Sequence, residues 1–163
     1  MTDFQPAAGF ALGPDEGKAI WYLGGLAVFK ITNEETGSWG LSVETFPAGF
    51  GSALHVHPTE DSGFYVLSGQ MKVIIGGAEM SAGPGGFIFL PRNVPHAFKV
   101  GDDAPATWLN IQGPTGDFRR LVEETGEPAA ALTLPQSTPP QDPEAANAAR
   151  ERHNLKMLGP SPF

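Results

Sequence analysis

Residues 49–69 read Gly-Phe-Gly-Ser-Ala-Leu-His-Val-His-Pro-Thr-Glu-Asp-Ser-Gly-Phe-Tyr-Val-Leu-Ser-Gly, and this stretch decides the fold. It holds His55 and His57, two of the four histidines in the chain. On a strand, side chains two apart lie on the same side, so both imidazoles face one point. Imidazole is the commonest protein ligand for divalent transition metals. His96 opens a later apolar run just after Asn93-Val94-Pro95, and a strand there can bring it to the pair across a barrel interior. An isolated His-x-His pair is equally compatible with a surface position or a polar network.

Working outward, the chain from Ile20 to Gln112 is a series of short apolar runs. Leu26–Ile31, Trp39–Phe46, Phe64–Leu67, Met71–Ile75, Phe87–Leu90, His96–Val100 and Thr107–Gln112 read as strands. Turn residues punctuate them: Pro47-Ala48-Gly49, Ser68-Gly69, Gly76-Gly77, Gly83-Pro84-Gly85-Gly86 and Gly101-Asp102-Asp103. With 21 Gly and 16 Pro in 163 residues, this favours an all-β sandwich or barrel over a helical bundle.

After Gly113 the pattern changes. Thr115 can cap a helix from about Gly116 to Thr125, with Phe118, Leu121 and Val122 as its buried stripe and Gly126 ending it. A Pro-rich arm follows, and Asp142-Pro143-Glu144 starts a second helix that ends near His153. Leu155, Met157 and Leu158 are apolar enough to dock on the barrel or on a second subunit. The expected organisation is thus a barrel with its N-terminal strands over residues 1–113 and a helical, Pro-rich extension over 114–163.

Composition narrows the function. The net charge is -8 and no basic stretch exists to neutralise phosphates, which argues against nucleic acid as a partner. The chain has no cysteine, so disulfides, thiolate catalysis and Cys-based zinc sites are excluded. No apolar stretch approaches a membrane span, and Met1–Leu12 shows no signal-peptide pattern. A cytoplasmic protein acting on a small molecule, with no membrane partner, is expected.

The surroundings of the histidines resemble the cupin superfamily. The first cupin motif combines a Gly, a His-x-His pair, a Glu and a closing Gly, and Gly49, His55, His57 and Gly69 stand at the matching places. In the second motif Gly85, Pro91 and His96 match, Asn93 stands for a second Gly, and Val100 stands for an Asn. Asn tolerates the positive φ that such a Gly would supply. The resemblance covers about Leu26 to Ile111. Trp21–Leu26, Phe64–Gly69 and His153–Pro160 extend it to bacterial quercetin 2,3-dioxygenase-like single-domain cupins. It implies an all-β double-stranded β-helix, or jelly-roll barrel, with a C-terminal helical extension. It also implies a homodimer, which the Pro-rich arm and terminal helix can embrace.

In that family three His and one Glu hold a metal ion, and the Glu also acts as a base in flavonol dioxygenases. Here Ser62 occupies the Glu position, counted back from Gly69. Serine is a poor ligand for such ions and no base near neutral pH. Three readings stay open. His55, His57 and His96 hold a divalent transition ion (Fe, Mn, Ni, Co, Cu or Zn) alone; Glu60 or Asp61 swings in as a displaced ligand, with Glu60 also the candidate catalytic group; or the metal is lost and the barrel binds a small molecule.

Strand parity places Ser62, Phe64, Val66, Phe98 and Val100 in the substrate pocket. Trp39, Leu41 and Val43 are expected to add wall, with Phe87 and Phe89 or their even neighbours. The resulting function is a metal-dependent, quercetin-dioxygenase-like enzyme acting on a small aromatic or enolisable compound. Non-redox cyclase, isomerase or lyase chemistry and a non-catalytic binding barrel are the alternatives. A sugar isomerase or epimerase is weaker, since the motifs carry no basic cluster for a phosphosugar. Arg92, Glu123, Glu124 and His153 read as solvated surface residues.

Overall fold

Alternation with a period of two, cut every few residues by a turn, leaves the chain little choice but short antiparallel strands. The computed structural model describes residues 8–163. In chain order it runs β1 (Lys18–Tyr22), β2 (Gly25–Ile31), α1 (Asn33–Thr36), β3 (Gly40–Phe46), β4 (Leu54–Val56) and β5 (Asp61–Ser68). There follow β6 (Met71–Ile75), β7 (Ala78–Ala82), β8 (Phe87–Leu90), β9 (His96–Val100) and β10 (Ala106–Gly113). The chain ends with α2 (Asp117–Thr125), β11 (Glu127–Pro128), α3 (Pro143–Arg152) and β12 (Lys156–Gly159).

Two turns show how the sequence enforces this path. Gly69 sits between β5 and β6 at φ 78°, where a Cβ would lie 2.5 Å from the Pro105 carbonyl oxygen, so only glycine fits. Asn93, standing for the second motif Gly, adopts φ 62°, the left-handed conformation expected of it.

The strands form two antiparallel sheets facing each other. One has seven strands in the order β11-β1-β2-β3-β10-β5-β8, the other five in the order β12-β4-β9-β6-β7. The jelly-roll barrel is therefore the fold. Between the sheets lies a core of Phe46, Phe64, Val66, Met71, Val73, Ile88, Leu90, Val100, Ala106 and Trp108. Trp108 is its largest fully buried side chain and stacks against Phe46 at a ring-centroid distance of 5.6 Å.

β3 corrects one expectation. Its inward residues are Gly40, Ser42, Glu44 and Phe46, while Leu41 and Val43 lie on the outer face. Trp39 precedes the strand and is exposed. Alternation defines two faces but not which is inside. Here the polar face goes in, and Ser42 and Asn110 both donate to Glu44 Oε1 there. The outer face carries two apolar rows, Leu41–Ile111–Gly63–Phe89 and Val43–Leu109–Tyr65–Phe87, side by side across β3, β10, β5 and β8. Phe87 and Phe89 thus stand 59% and 55% exposed, and their even neighbours Ile88 and Leu90 are buried.

The helices form close to where their caps predict. α3 has Asp142 accepting from the Glu144 amide, Pro at its first turn and His153 at its C-cap. The N-cap of α2 is Gly116 rather than Thr115, and it has no side chain to offer the helix. The C-terminal segment returns to the barrel. Leu155 packs with Leu121 and Ala149, and β12 pairs with β4, setting Met157 opposite His55.

Candidate functional site

The His-x-His pair lies at the end of β4, and β9 runs antiparallel beside it with His96 directly opposite His55. This register brings the three imidazoles together. Their ring centroids are 5.2 Å apart for His55 and His57, 4.5 Å for His55 and His96, and 5.5 Å for His57 and His96. One ring nitrogen from each lies within 4.8 Å of the others.

The chemistry of the donor set fits a divalent transition ion. The Ala53 carbonyl, 2.8 Å from His55 Nδ1, can only accept, so that nitrogen carries the proton and Nε2 keeps its lone pair. The Val94 carbonyl, 2.9 Å from His96 Nδ1, does the same for His96. Backbone carbonyls are the outer partners that orient ligating histidines in metal sites. Burial lowers the pKa of all three: His55 to about 4, helped by His96; His57 well below its ordinary value, helped by both neighbours; and His96 against the raising pull of the Val94 carbonyl. All three are neutral at pH 7, the form that binds metal.

The cluster opens into a cavity of about 290 Å³ between the two sheets. Ser62, Phe64 and Phe98 line it as parity predicts, together with Phe46, Phe50 and Leu90. Val66 and Val100, expected beside them, are instead fully buried in the core and do not reach the cavity. Phe118 of α2 closes one side, 6.2 Å from the His57 ring and 6.3 Å from Tyr22. Arg150, Leu155 and Met157 of the C-terminal segment close another.

Glu60 does not join the histidines. It is 1% exposed, and its two carboxylate oxygens accept from the amides of Asp117 and Phe118, at 2.9 and 2.7 Å. It supplies from a distant loop the N-terminal cap that Gly116 cannot give α2. The physical reason is local competition: two helix N–H groups and the positive end of the dipole hold a carboxylate more firmly than an open cavity does. Burial raises its pKa despite those amides. Asp61 is held outside by Arg92, whose Nη2 lies 2.6 Å from Oδ2. Glu123 and Glu124 pair with Lys18, Arg119, Arg152 and His153 on the surface.

The carboxylate that does face the cavity is Glu44 on β3, 2% exposed. Its Oε1 accepts from Ser42 Oγ at 2.9 Å and from Asn110 Nδ2 at 2.7 Å. Burial raises its pKa to about 7, against the lowering pull of those two donors. Alternation along β3 does not reveal it, because its apolar face, Leu41 and Val43, is the one expected to point inward. The available signal was the absence of any other reason for an acid within a strand of such pattern.

The cupin domain family matches residues 42–112. Quercetin 2,3-dioxygenase of Bacillus subtilis (strain 168) is 27% identical over 104 residues, which are 64% of this chain and 29% of that protein. The chain thus spans under a third of that relative's length. Among solved structures, an RmlC-like cupin from Shewanella frigidimarina NCIMB 400 superposes with a TM-score of 0.55 at 19% identity, covering 70% of this chain and 98% of that one. The polyketide cyclase RemF from Streptomyces resistomycificus superposes with a TM-score of 0.50 at 21% identity, covering 74% and 78%. At such identities these structures speak for the fold alone. Residues 42–112 thus match the cupin domain family, and the paired sheets and the converging histidines agree with a cupin barrel.

Proposed function

We propose that this protein is a metal-dependent enzyme acting on a small aromatic or enolisable compound, with a divalent transition ion held by His55, His57 and His96. The observation that carries this reading is the convergence of three neutral imidazoles, two of them oriented by backbone carbonyls, on one wall of a largely apolar cavity. A bound ion supplies Lewis acidity toward a carbonyl or hydroxyl oxygen of the compound. The chain's own residues do the rest. Phe46, Phe50, Phe64 and Phe98 offer a set of ring faces and edges that hold a flat apolar body and exclude water.

Ser62 lies in the cavity wall where the family motif carries its Glu. With no carboxylate there, flavonol oxygenation by the family's route lacks its base, and non-redox chemistry such as cyclisation, isomerisation or elimination is favoured. The test is elemental analysis of purified protein reconstituted with divalent ions, beside His55→Ala and His96→Ala. About one ion per chain in the wild type and none in either variant is the expected result. No ion above background in the wild type overturns the metal reading and leaves a binding barrel.

A further inference from the structure

We propose that Glu44 is the acid–base residue of this cavity, moving a proton to and from a carbon beside the carbonyl of the bound compound; this rests on the cavity being the site for an enolisable compound. Glu44 projects from the seven-stranded sheet, opposite the sheet that carries the histidines. Ser42 and Asn110 both donate to Oε1, and among the described residues no group donates to Oε2. Beside it Asn110 Oδ1 is buried without a partner. In the cavity lining, Glu44 Oε2 therefore lacks a donor, which a ligand can supply.

A structural role does not account for this carboxylate. Among the described residues it forms no ion pair and caps no helix, and a buried acid without a cation is costly where an apolar side chain would pack. Two donors fastened to one oxygen fix the carboxylate's position in the cavity lining and leave the other oxygen free. The charged and titratable groups on the same cavity are Tyr22 from β1, Arg150 from α3, and the three histidines from β4 and β9. Tyr22 is itself pushed up to about 12, chiefly by burial, and stays neutral. Glu44, raised to about 7 by burial, is present in both protonation states at neutral pH, which suits acid–base work in either direction.

The step balances without an oxidant. Oε2 takes the proton as the C–H bond breaks and an O–H bond forms. The electron pair left on carbon passes to the carbonyl oxygen as an enolate. Return of the proton from Oε2, to the same carbon or a neighbouring one, completes exchange or isomerisation.

The probe is α-hydroxyacetophenone, an aromatic, chelating ketone with exchangeable C–H groups, incubated in D₂O with reconstituted protein and followed by proton NMR. Glu44→Gln keeps the size and an acceptor oxygen for Ser42 and Asn110. Metal content is measured on each sample, and infrared difference spectra of the metal-free proteins report the protonated carboxyl. Expected are wild-type metal content in Glu44→Gln, loss of a protonated-carboxyl band present near neutral pH, and exchange slowed by about a hundredfold. Equal exchange in the two proteins, or wild-type exchange no faster than in buffer, overturns the assignment. Glu44-dependent exchange in a wild type that takes up no ion supports Glu44 and overturns the metal reading alone.

Discussion

Replacing Glu60 separates a structural carboxylate from a functional one. Its oxygens meet the amides of Asp117 and Phe118 at 2.9 and 2.7 Å, in a place where Gly116 gives α2 no cap of its own. Glu60→Ala leaves two inward helix N–H groups without their acceptor. Hydrogen bonds to a charged group contribute about 1.5–3 kcal/mol each. Loss of a helix cap alone typically costs about 1 kcal/mol. Water entering the space left by the side chain recovers part of this, so the expected loss is about 2–4 kcal/mol. Glu60→Gln keeps one neutral acceptor and should lose about half as much. Urea unfolding reads the change: with a slope of about 1–3 kcal/mol/M, the alanine variant's midpoint falls by roughly 1–2 M at unchanged slope. Elemental analysis of the same samples should show the metal retained, because Glu60 is absent from the histidine cluster. Unchanged stability in Glu60→Ala, or metal lost from a variant that melts like wild type, would refute the capping role and return Glu60 to the site.

Two further outcomes concern pH. The Glu44 pKa is raised in the folded state from 4.5 to about 7, so the native protein holds that proton more tightly and its contribution is fully present below pH 4.5. That stability is lost as pH rises through about 7, amounting to about 3 kcal/mol at most. Urea midpoints of Glu44→Gln should therefore gain on wild type between pH 4.5 and 8; parallel curves would contradict the burial argument. Asp117 behaves oppositely. Burial would raise it, but donors from Thr59, Arg120, Thr115 and Asn154 outweigh that and hold it at about 2. Its contribution is present above the ordinary Asp value and lost as pH falls through about 2, so Asp117→Asn should be weaker at pH 7 and show a shallower acid transition in circular dichroism than wild type.

The parts of the fold legible in the sequence are those where one pattern has one physical solution. Met71–Ile75, Phe87–Leu90 and His96–Val100 are bounded by turn residues on both sides, and the strands have those same bounds. The histidine convergence was legible because a period of two and a shared motif point the same way. β7, Ala78–Ala82, was not: Ala78, Met80 and Ala82 make only a small, mostly exposed apolar face, and it is an edge strand held by pairing with β6. β12 was not, since Lys156–Gly159 follows a helix signal and gains its conformation from β4. α1 carried a readable signal in Thr32 and Glu35, whose side chains form a capping box, but it is only four residues long.

The site was half legible for a related reason. The inner face of a strand is set by what it meets, and Ser42 and Glu44 are inside only because Asn110 arrives from β10, 66 residues after Glu44. No local pattern on β3 contains that partner. Val66 and Val100 show the same limit at finer scale, because parity names the face but not the depth along the strand at which the cavity ends.

In the cupin motif one carboxylate, adjacent to the histidines, is both ligand and base. In this chain the two places are on the same seven-stranded sheet but on different strands: Ser62 on β5 holds the motif position, and Glu44 on β3 carries the acid. Three neutral imidazoles offset none of the charge of the proposed divalent ion, which favours an anionic ligand beside it. An enolate is such a ligand, whereas a flavonol oxygenase site with its own glutamate already has one negative charge in place. The same substitution frees the acid from metal coordination, and a carboxylate that is not a ligand can keep a pKa near neutrality. On the proposed reading, a serine at position 62 and an acid at position 44 thus bear on both halves of the chemistry together: the first raises the demand for an anionic ligand, and the second is a group able to make one.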